Sequence, residues 1–334
     1  MSKYIIFIIW MGLSQSLLAQ VRHFNTQQLT GVDIAVREIL SNNSEQLICF
    51  RRHGPTDLSD ISIFEIVGNQ LNKVWEHNHG AINLSYDFDT GDLNKDGQLD
   101  FAVVGMGRHD NGETVSISHV LLYLSNSGYR NYEHHLLARP RQVFHLAIGN
   151  IDGDDQQEFI IAETIKSTED WFDVELKIVR WRNDAFSIIE TGIVARHPET
   201  YWTDIRLRDI DNDDRDEALI SVSDGDHKLQ IYDLDNLSPD IQPSRIIPKQ
   251  ELNSPILVSK KGGIFELGVQ RPNLIPLGPN PASKIIPITL ANLDLNNWHP
   301  IEIVESETDV VVVNRPVGQW SRTRQISIYE NNAD

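Results

Sequence analysis

Apolar residues in this chain fall in short runs, rich in β-branched and aromatic side chains, and polar turn segments separate the runs. Runs of this length and composition, alternating in part with polar residues, are typical of β-strands. No segment of residues 20–334 shows the period of an amphipathic helix. The expected strands of two consecutive units cover residues 84–88, 101–105, 117–124 and 129–137, then 144–149, 159–163, 173–181 and 186–194. The pattern therefore predicts an all-β protein built from four-stranded units.

The same pattern continues towards the C-terminus and begins before residue 84. An earlier unit has a turn at residues 38–43 and a strand after it. The later expected strands cover residues 218–222 and 228–234, then 256–259, 264–269, 274–277 and 285–288, then 288–291, 301–305, 310–314 and 325–329. We count about six four-stranded units, with five and seven as alternatives. Repeated units of this kind are typical of a β-propeller, whose blades pack face to face around a central channel.

Three polar segments repeat one spacing of oxygen-bearing side chains. We call residues 92–100, 150–158 and 209–217 the first, second and third acidic loops; their first residues lie 58 and 59 positions apart. Side-chain oxygens stand at positions 1, 3, 5 and 9, and the residue at position 7 offers its backbone carbonyl. The predicted ligands are Asp92, Asn94, Asp96, Gln98 and Asp100, then Asn150, Asp152, Asp154, Gln156 and Glu158, then Asp209, Asp211, Asp213, Arg215 and Glu217. Since Ca2+ takes about six to eight oxygen ligands in flexible geometry, the spacing predicts about three calcium sites.

Position 6 of each acidic loop is expected to turn the chain through a positive φ angle. Gly97, Asp155 and Asp214 stand there, and these residue types tolerate the left-handed conformation. A metal-free acidic turn has a similar composition, because Asp, Asn and Gly also favour turns through side-chain hydrogen bonds to the backbone. The regular repeat favours the metal interpretation.

A fourth copy of the loop is less complete. Asn292, Asp294 and Asn296 supply oxygens at positions 1, 3 and 5, but Pro300 occupies position 9. A metal ion at this fourth copy is a weaker expectation than at the other three.

The N-terminal segment has the three regions of a secretory signal. Lys3 precedes an apolar run over residues 4–13, and Ala19 stands at the expected cleavage point. The apolar run is short for a bilayer span. We therefore expect residues 1–19 to be removed and residues 20–334 to form a single exported domain, periplasmic or extracellular, without a membrane span.

The charge and cysteine content restrict the partners and the means of stabilisation. The formal net charge is −19, and an acidic surface repels nucleic acid, whose binding needs clustered Lys and Arg. The single cysteine, Cys49, allows no internal disulfide. Nucleic acid is therefore excluded as the expected partner, and the stability is expected to come from the core and from bound ions.

The repeats resemble the FG-GAP/VCBS repeat family, which is related to the propeller head of integrin α chains. The resemblance rests on residues 92–104, 150–161 and 209–220, with further support at residues 292–304. It implies a propeller over most of residues 20–334 and Ca2+ in the loops that join blade strands. It does not identify a ligand, because one fold hosts many functions.

The chain contains none of the common hydrolase or phosphate-binding motifs. We expect His77, His79 and the pair at 134–135 to be exposed loop residues, and Trp171, Trp181 and Trp202 to pack in the core. The sequence thus favours an exported calcium-binding propeller that acts as a non-catalytic binding or scaffold module for a protein or glycan. The alternative is a carbohydrate-active enzyme, such as a polysaccharide lyase, with a pocket on the propeller face.

Overall fold

The computed structural model describes 18 segments of the chain. They are residues 21–25, 34–41, 44–52, 59–67, 70–78, 84–107, 117–135, 142–166, 172–197, 205–223, 227–234, 241–249, 256–258, 264–267, 274–277, 298–305, 309–316 and 325–330. Among these residues the helical structure is one 3-10 turn, Ser125–Ser127. No helix within these segments is long and apolar enough to cross a bilayer.

The described residues form twenty-three β-strands. The strands are β1 (Val21–Asn25), β2 (Ile34–Ser41), β3 (Ser44–Arg52), β4 (Ser59–Val67), β5 (Gln70–Asn78), β6 (Leu84–Gly91), β7 (Asp100–Gly107), β8 (Ile117–Leu124), β9 (Arg130–His135), β10 (Gln142–Gly149), β11 (Glu158–Lys166), β12 (Phe172–Arg182), β13 (Ala185–His197), β14 (Ile205–Arg208), β15 (Glu217–Ser223), β16 (His227–Tyr232), β17 (Arg245–Pro248), β18 (Ile256–Val258), β19 (Ile264–Leu267), β20 (Leu274–Pro276), β21 (Trp298–Glu305), β22 (Asp309–Pro316) and β23 (Gln325–Glu330). The protein is all-β, as the sequence predicts.

The strands pair antiparallel in six sheets. Four sheets contain consecutive strands in chain order, namely β2 to β5, β6 to β9, β10 to β13 and β14 to β17, and β18 to β20 form a three-stranded sheet. The last sheet has the order β1-β23-β22-β21, so the first described strand joins the C-terminal ones. Val21 pairs with Tyr329 at one end of this contact and Asn25 pairs with Gln325 at the other.

The first strands of successive sheets contact one another. Strand β6 contacts β2 and β10, and β10 contacts β14. Strand β2 also contacts β21 of the last sheet. The sheets therefore follow one another in space in chain order where these contacts are described, and the last sheet lies beside the first.

The hydrophobic core lies between neighbouring sheets. On β7, Ala102 and Val104 pack into the cluster that contains residues of β10 and β11. Phe101 and Val103 point the other way, into a cluster with residues of β3 and β4. Because successive side chains of a strand point to opposite faces, a strand between two cores needs apolar residues throughout. This explains the continuous apolar runs in the sequence.

The expected strands agree closely with the structure in the units that carry the acidic loops. The expected strand at 129–137 is shorter in the structure, Arg130–His135, and the one at 186–194 is longer, Ala185–His197. The expected strands at 285–288 and 288–291 lie outside the described residues, as do the predicted signal sequence and the fourth loop copy. The completion of the C-terminal sheet by β1 could not be predicted from the sequence, because pairing between distant segments leaves no local pattern.

Candidate metal centres

Each acidic loop joins the first two strands of its sheet, and its last residue is a buried carboxylate that fixes the hairpin. Asp100 and Glu158 have no exposed surface and Glu217 is 8% exposed. Each carboxylate accepts a hydrogen bond from the backbone N–H at position 2 of its own loop. The donors and acceptors are Leu93 and Asp100 (3.0 Å), Ile151 and Glu158 (3.1 Å), and Ile210 and Glu217 (2.9 Å).

Other acidic side chains accept hydrogen bonds from backbone N–H groups of their own loop. In the first loop, Asp92 accepts hydrogen bonds from the backbone N–H groups of Asp96 (3.0 Å) and Gly97 (2.8 Å). The carboxylate at position 5 accepts one from the N–H at position 7 in all three loops. The distances are 2.9 Å for Asp96 and Gln98, 2.9 Å for Asp154 and Gln156, and 3.0 Å for Asp213 and Arg215. The repeated spacing therefore serves the turn itself as well as any ion.

The loop backbone is left-handed at two positions. Position 6 has φ angles of 79° at Gly97, 63° at Asp155 and 69° at Asp214, which confirms the prediction for that position. Position 4 is left-handed too, with φ angles of 61° at Lys95, 75° at Gly153 and 66° at Asn212. This second left-handed position was not predicted, although Gly153 and Asn212 are residue types that favour it and only Lys95 is uncommon there.

Two of the three loops bring carboxylates close enough to share one cation. The described groups are Asp152, Asp154 and Glu158 of the second loop and Asp209, Asp211 and Glu217 of the third, each with its oxygen atoms within 4.8 Å of one another. No such trio of carboxylates meets in the first loop among the residues described. The first loop has an amide, Asn94, at position 3, and both oxygens of Asp100 accept backbone hydrogen bonds, from Leu93 and from Ser125 (2.8 Å).

The carboxylates of the second loop are paired with two arginines of β12. Arg182 Nη2 lies 3.2 Å from Asp154 Oδ2, and Arg180 Nη2 lies 3.0 Å from Asp152 Oδ2. Although burial opposes it, the hydrogen bond from the Gln156 N–H and the charge of Arg182 lower the pKa of Asp154. The second loop is therefore neutralised largely by its own sheet.

The third loop lacks such pairing. Within the described part of the chain, no ion pair involves Asp209, Asp211 or Glu217. Burial, followed by the negative charges of Asp211 and Asp213, raises the pKa of Glu217 to about 7, despite the hydrogen bond from the Ile210 N–H. The negative charge of these three carboxylates therefore has no described ion pair, and the charge of Arg208 acts instead on the neighbouring Asp216.

This charge predicts a dependence of stability on pH in a chelating buffer. Folding favours the protonated form of Glu217, so its contribution to the unfolding free energy falls as pH rises from about 4.5 to about 7. Glu217→Gln is expected to remove this contribution, because the amide carries no charge and still offers an oxygen to the Ile210 N–H. Urea unfolding at pH 5 and pH 8 measures it. Identical pH slopes for the variant and the wild type would contradict the prediction.

Neighbouring loops are joined by a repeated pair of hydrogen bonds, which we call the interloop clasp. The Gln157 N–H donates to the Asp92 carbonyl (3.2 Å), and the Asp92 N–H donates to Gln157 Oε1 (2.6 Å). In the same way the Asp216 N–H donates to the Asn150 carbonyl (2.8 Å), and the Asn150 N–H donates to Asp216 Oδ2 (2.7 Å). The residue at position 8 of one loop is thus hydrogen-bonded to the residue at position 1 of the preceding loop.

Long side chains add further contacts between the first two loops. Lys95 Nζ donates to the Asp154 carbonyl (2.7 Å), and Gln156 Nε2 donates to the Leu93 carbonyl (2.6 Å). The three acidic loops therefore form a connected series across three neighbouring sheets.

Sequence reasoning missed the residues that connect and neutralise the loops. Gln157 and Asp216 stand at position 8, where the repeated pattern has no predicted ligand, and their role requires knowledge of which sheets are neighbours. Arg180 and Arg182 lie on the third strand of their sheet, more than twenty residues after the loop they contact. The sequence signal for these two arginines is a pair of basic residues on the third strand of one unit, which the other acidic-loop units lack.

The prediction of loop histidines is wrong for His77 and for the pair at 134–135, and the prediction of a core tryptophan is confirmed for Trp181. His79, Trp171 and Trp202 lie outside the described residues. His77 lies in strand β5, stacks on Trp75 at 6.1 Å between ring centroids, and has its pKa lowered by burial. The pair at 134–135 belongs to strand β9 rather than a loop. Trp181 is buried, 4% exposed, between two sheets.

Comparisons with known proteins give distant structural matches. No protein-family model matches the chain, and no curated protein matches it. Rhamnogalacturonan lyase YesW is similar to it with a TM-score of 0.44 and 12% identity, over 94% of this chain and 73% of that protein. The Bacillus licheniformis rhamnogalacturonan lyase PL11 gives 0.44 and 10%, over 93% and 72% of the two chains. The exotype lyase YesX gives 0.41 and 11%, over 93% and 72%.

Proposed function

We propose that this chain is an exported calcium-binding β-propeller of six blades, related to the FG-GAP/VCBS repeats, that acts as a non-catalytic binding or scaffold module. The pairing of β1 with β23 supports a closed ring, because the final blade takes its outer strand from the beginning of the described chain. The contact between β2 and β21 supports it too, since it places the last sheet beside the first. Closure leaves only short blade edges exposed.

The third acidic loop carries the calcium proposal. Its three clustered carboxylates lie within 4.8 Å of one another and are not paired with any described cation. Carboxylate oxygens suit Ca2+, and Asp209, Asp211, Asp213 and Glu217 with the carbonyl of Arg215 would hold it. The ion would supply positive charge where the carboxylates repel one another. This would tie the hairpin between β14 and β15 to the turn that it encloses.

Calcium is expected to stabilise the protein through this loop. A ligand that binds only the native state adds about 2.7 kcal/mol of unfolding free energy at a hundredfold excess over Kd. Asp211→Asn should remove most of that gain by taking away one charged ligand. Thermal unfolding after chelation, then with calcium or magnesium added at matched ionic strength, measures it.

Asp184→Asn is the matched control, since Asp184 is an exposed turn residue between β12 and β13. The control should respond to calcium as the wild type does. If Asp211→Asn keeps the full calcium response, the third loop is an acidic turn and its assignment as a metal site fails.

The non-catalytic part of the proposal is tested against the enzyme alternative. A polysaccharide lyase would leave an unsaturated uronate, which absorbs in the ultraviolet, when incubated with a uronate-containing polysaccharide in calcium. We expect no such product from this protein and saturable binding of a protein or glycan instead. Product formation that scales with protein concentration would replace the binding module with the enzyme.

A further inference from the structure

One nitrogen atom of the second loop's sheet reaches all three carboxylates that meet in that loop. Arg182 Nη2 lies 2.5 Å from Glu158 Oε1, 3.2 Å from Asp154 Oδ2 and 3.9 Å from Asp152 Oδ2. Arg180 supports it from the side, with its Nη2 3.0 Å from Asp152 Oδ2 and its Nε 3.8 Å from Glu158 Oε1. A guanidinium therefore lies where a cation shared by these carboxylates would have to lie.

The sheet holds this arginine in place. Arg180 and Arg182 flank Trp181, which is buried between sheets, so alternation along β12 directs both arginines towards the loop face. Arg182 Nη1 also donates to the Trp181 carbonyl at 3.2 Å, and Gln156 Nε2 donates to the same carbonyl at 2.8 Å. The guanidinium is thus fixed to the strand as well as to the loop.

The other two acidic loops have no arginine at the matching places. In each sheet the strand register defines the residue that faces the end of the loop. The residue one position beyond the last registered pair is Arg180 for the second loop, Leu124 for the first and Asp233 for the third. Two positions further along the sequence stand Asn126, in the 3-10 turn, and Asp235, which lies outside the described residues.

We propose that the guanidinium of Arg182 is the resident cation of the second acidic loop, which therefore folds without Ca2+. Hydrogen bonds between an ionised donor and an ionised acceptor are short and strong, and the Arg182 contact to fully buried Glu158 is of this kind. Removing the arginine would leave buried Glu158 without its hydrogen-bonded charged partner, with only Arg180 Nε at 3.8 Å, which is unfavourable. This proposal rests on the proposed calcium function and assigns calcium to the first and third loops only. Of these two, the third has three described carboxylates within 4.8 Å of one another.

The first test uses stability in a chelating buffer, where calcium plays no part. Arg182→Gln is expected to lower the midpoint of thermal unfolding by several degrees more than Arg245→Gln, in which an exposed strand residue loses the same charge. Arg182→Lys keeps one positive charge, so its unfolding midpoint should lie between those of Arg182→Gln and the wild type. The lysine variant also provides a measurement if the glutamine variant does not fold. Equal midpoints for Arg182→Gln, Arg182→Lys and Arg245→Gln would overturn the proposal.

The second test counts bound calcium by equilibrium dialysis with calcium chloride. Asp154→Asn should leave the number of ions per chain unchanged, because the second loop holds none. Arg182→Gln should gain one ion and recover stability when calcium is added, because the carboxylates become available. Loss of one ion in Asp154→Asn would overturn the proposal. The proposed calcium function can fail while the Arg182 proposal holds. In that case the wild type takes up no calcium, but Arg182→Gln still unfolds at a lower temperature than Arg245→Gln in the chelating buffer.

Discussion

Replacing Gly149 with alanine is expected to destabilise the protein by about 3 kcal/mol or more. A Cβ atom at this position would overlap Asp216 Oδ2 and would lie 2.7 Å from Leu207 Cβ. Asp216 Oδ2 accepts the hydrogen bond from the Asn150 N–H in the interloop clasp. Moving Asp216 to relieve the overlap therefore breaks that hydrogen bond. Leu207 belongs to the core between the two sheets and has little room to move. The alanine must therefore separate neighbouring sheets as well as open the clasp.

Urea unfolding of Gly149→Ala beside Gly97→Ala separates overlap from backbone strain. Gly97 has a φ angle of 79° and no atom within 4 Å of a Cβ added there. Its replacement should cost only the left-handed penalty of about 1–2 kcal/mol. Equal losses in the two variants would show that the sheets at Gly149 are less closely packed than the structure describes.

The second large effect is expected from a cross-link between the two ends of the described chain. His23 of β1 pairs with Ser327 of β23. With Cys49 replaced by alanine, the double variant His23→Cys and Ser327→Cys should form a disulfide on mild oxidation. A disulfide that closes a loop of this length restricts the unfolded chain and is expected to add up to about 5 kcal/mol.

The reduced form of the same protein is the control, since it has the same substitutions without the cross-link. Oxidation should consume both thiols, increase the mobility of the unfolded chain in a denaturing gel and raise the unfolding midpoint. Thiols that stay free under an oxidant would contradict the pairing of β1 with β23, and with it the closed ring.

Much of the strand pattern could be predicted because the residue types of each strand depend on which of its two faces are buried. Ala102 and Phe101 face different cores, so the strand that contains them is apolar throughout and is easily recognised in the sequence. The acidic loops are equally local, since their carboxylates bond to backbone groups of the same loop. Positive φ angles at position 6 followed from the residue types there.

The relations between units could not be predicted in the same way. The bond between Asp216 and Asn150 spans 66 residues, and that between Gln157 and Asp92 spans 65. The contact of Arg182 with Glu158 spans 24 residues and depends on the strand register rather than on a motif. Three loops with one sequence pattern therefore differ in charge balance, because each receives different side chains from the strands around it.

Calcium uptake by the folded protein shows whether the third loop holds the cation that is proposed to stabilise it. Equilibrium dialysis at matched ionic strength, with magnesium in parallel, measures the number of ions bound by the wild type, Asp211→Asn and Asp184→Asn. We expect saturable, calcium-selective uptake by the wild type and Asp184→Asn, and one ion fewer in Asp211→Asn. Folded wild-type protein that takes up no calcium, or an unchanged count in Asp211→Asn, would contradict it.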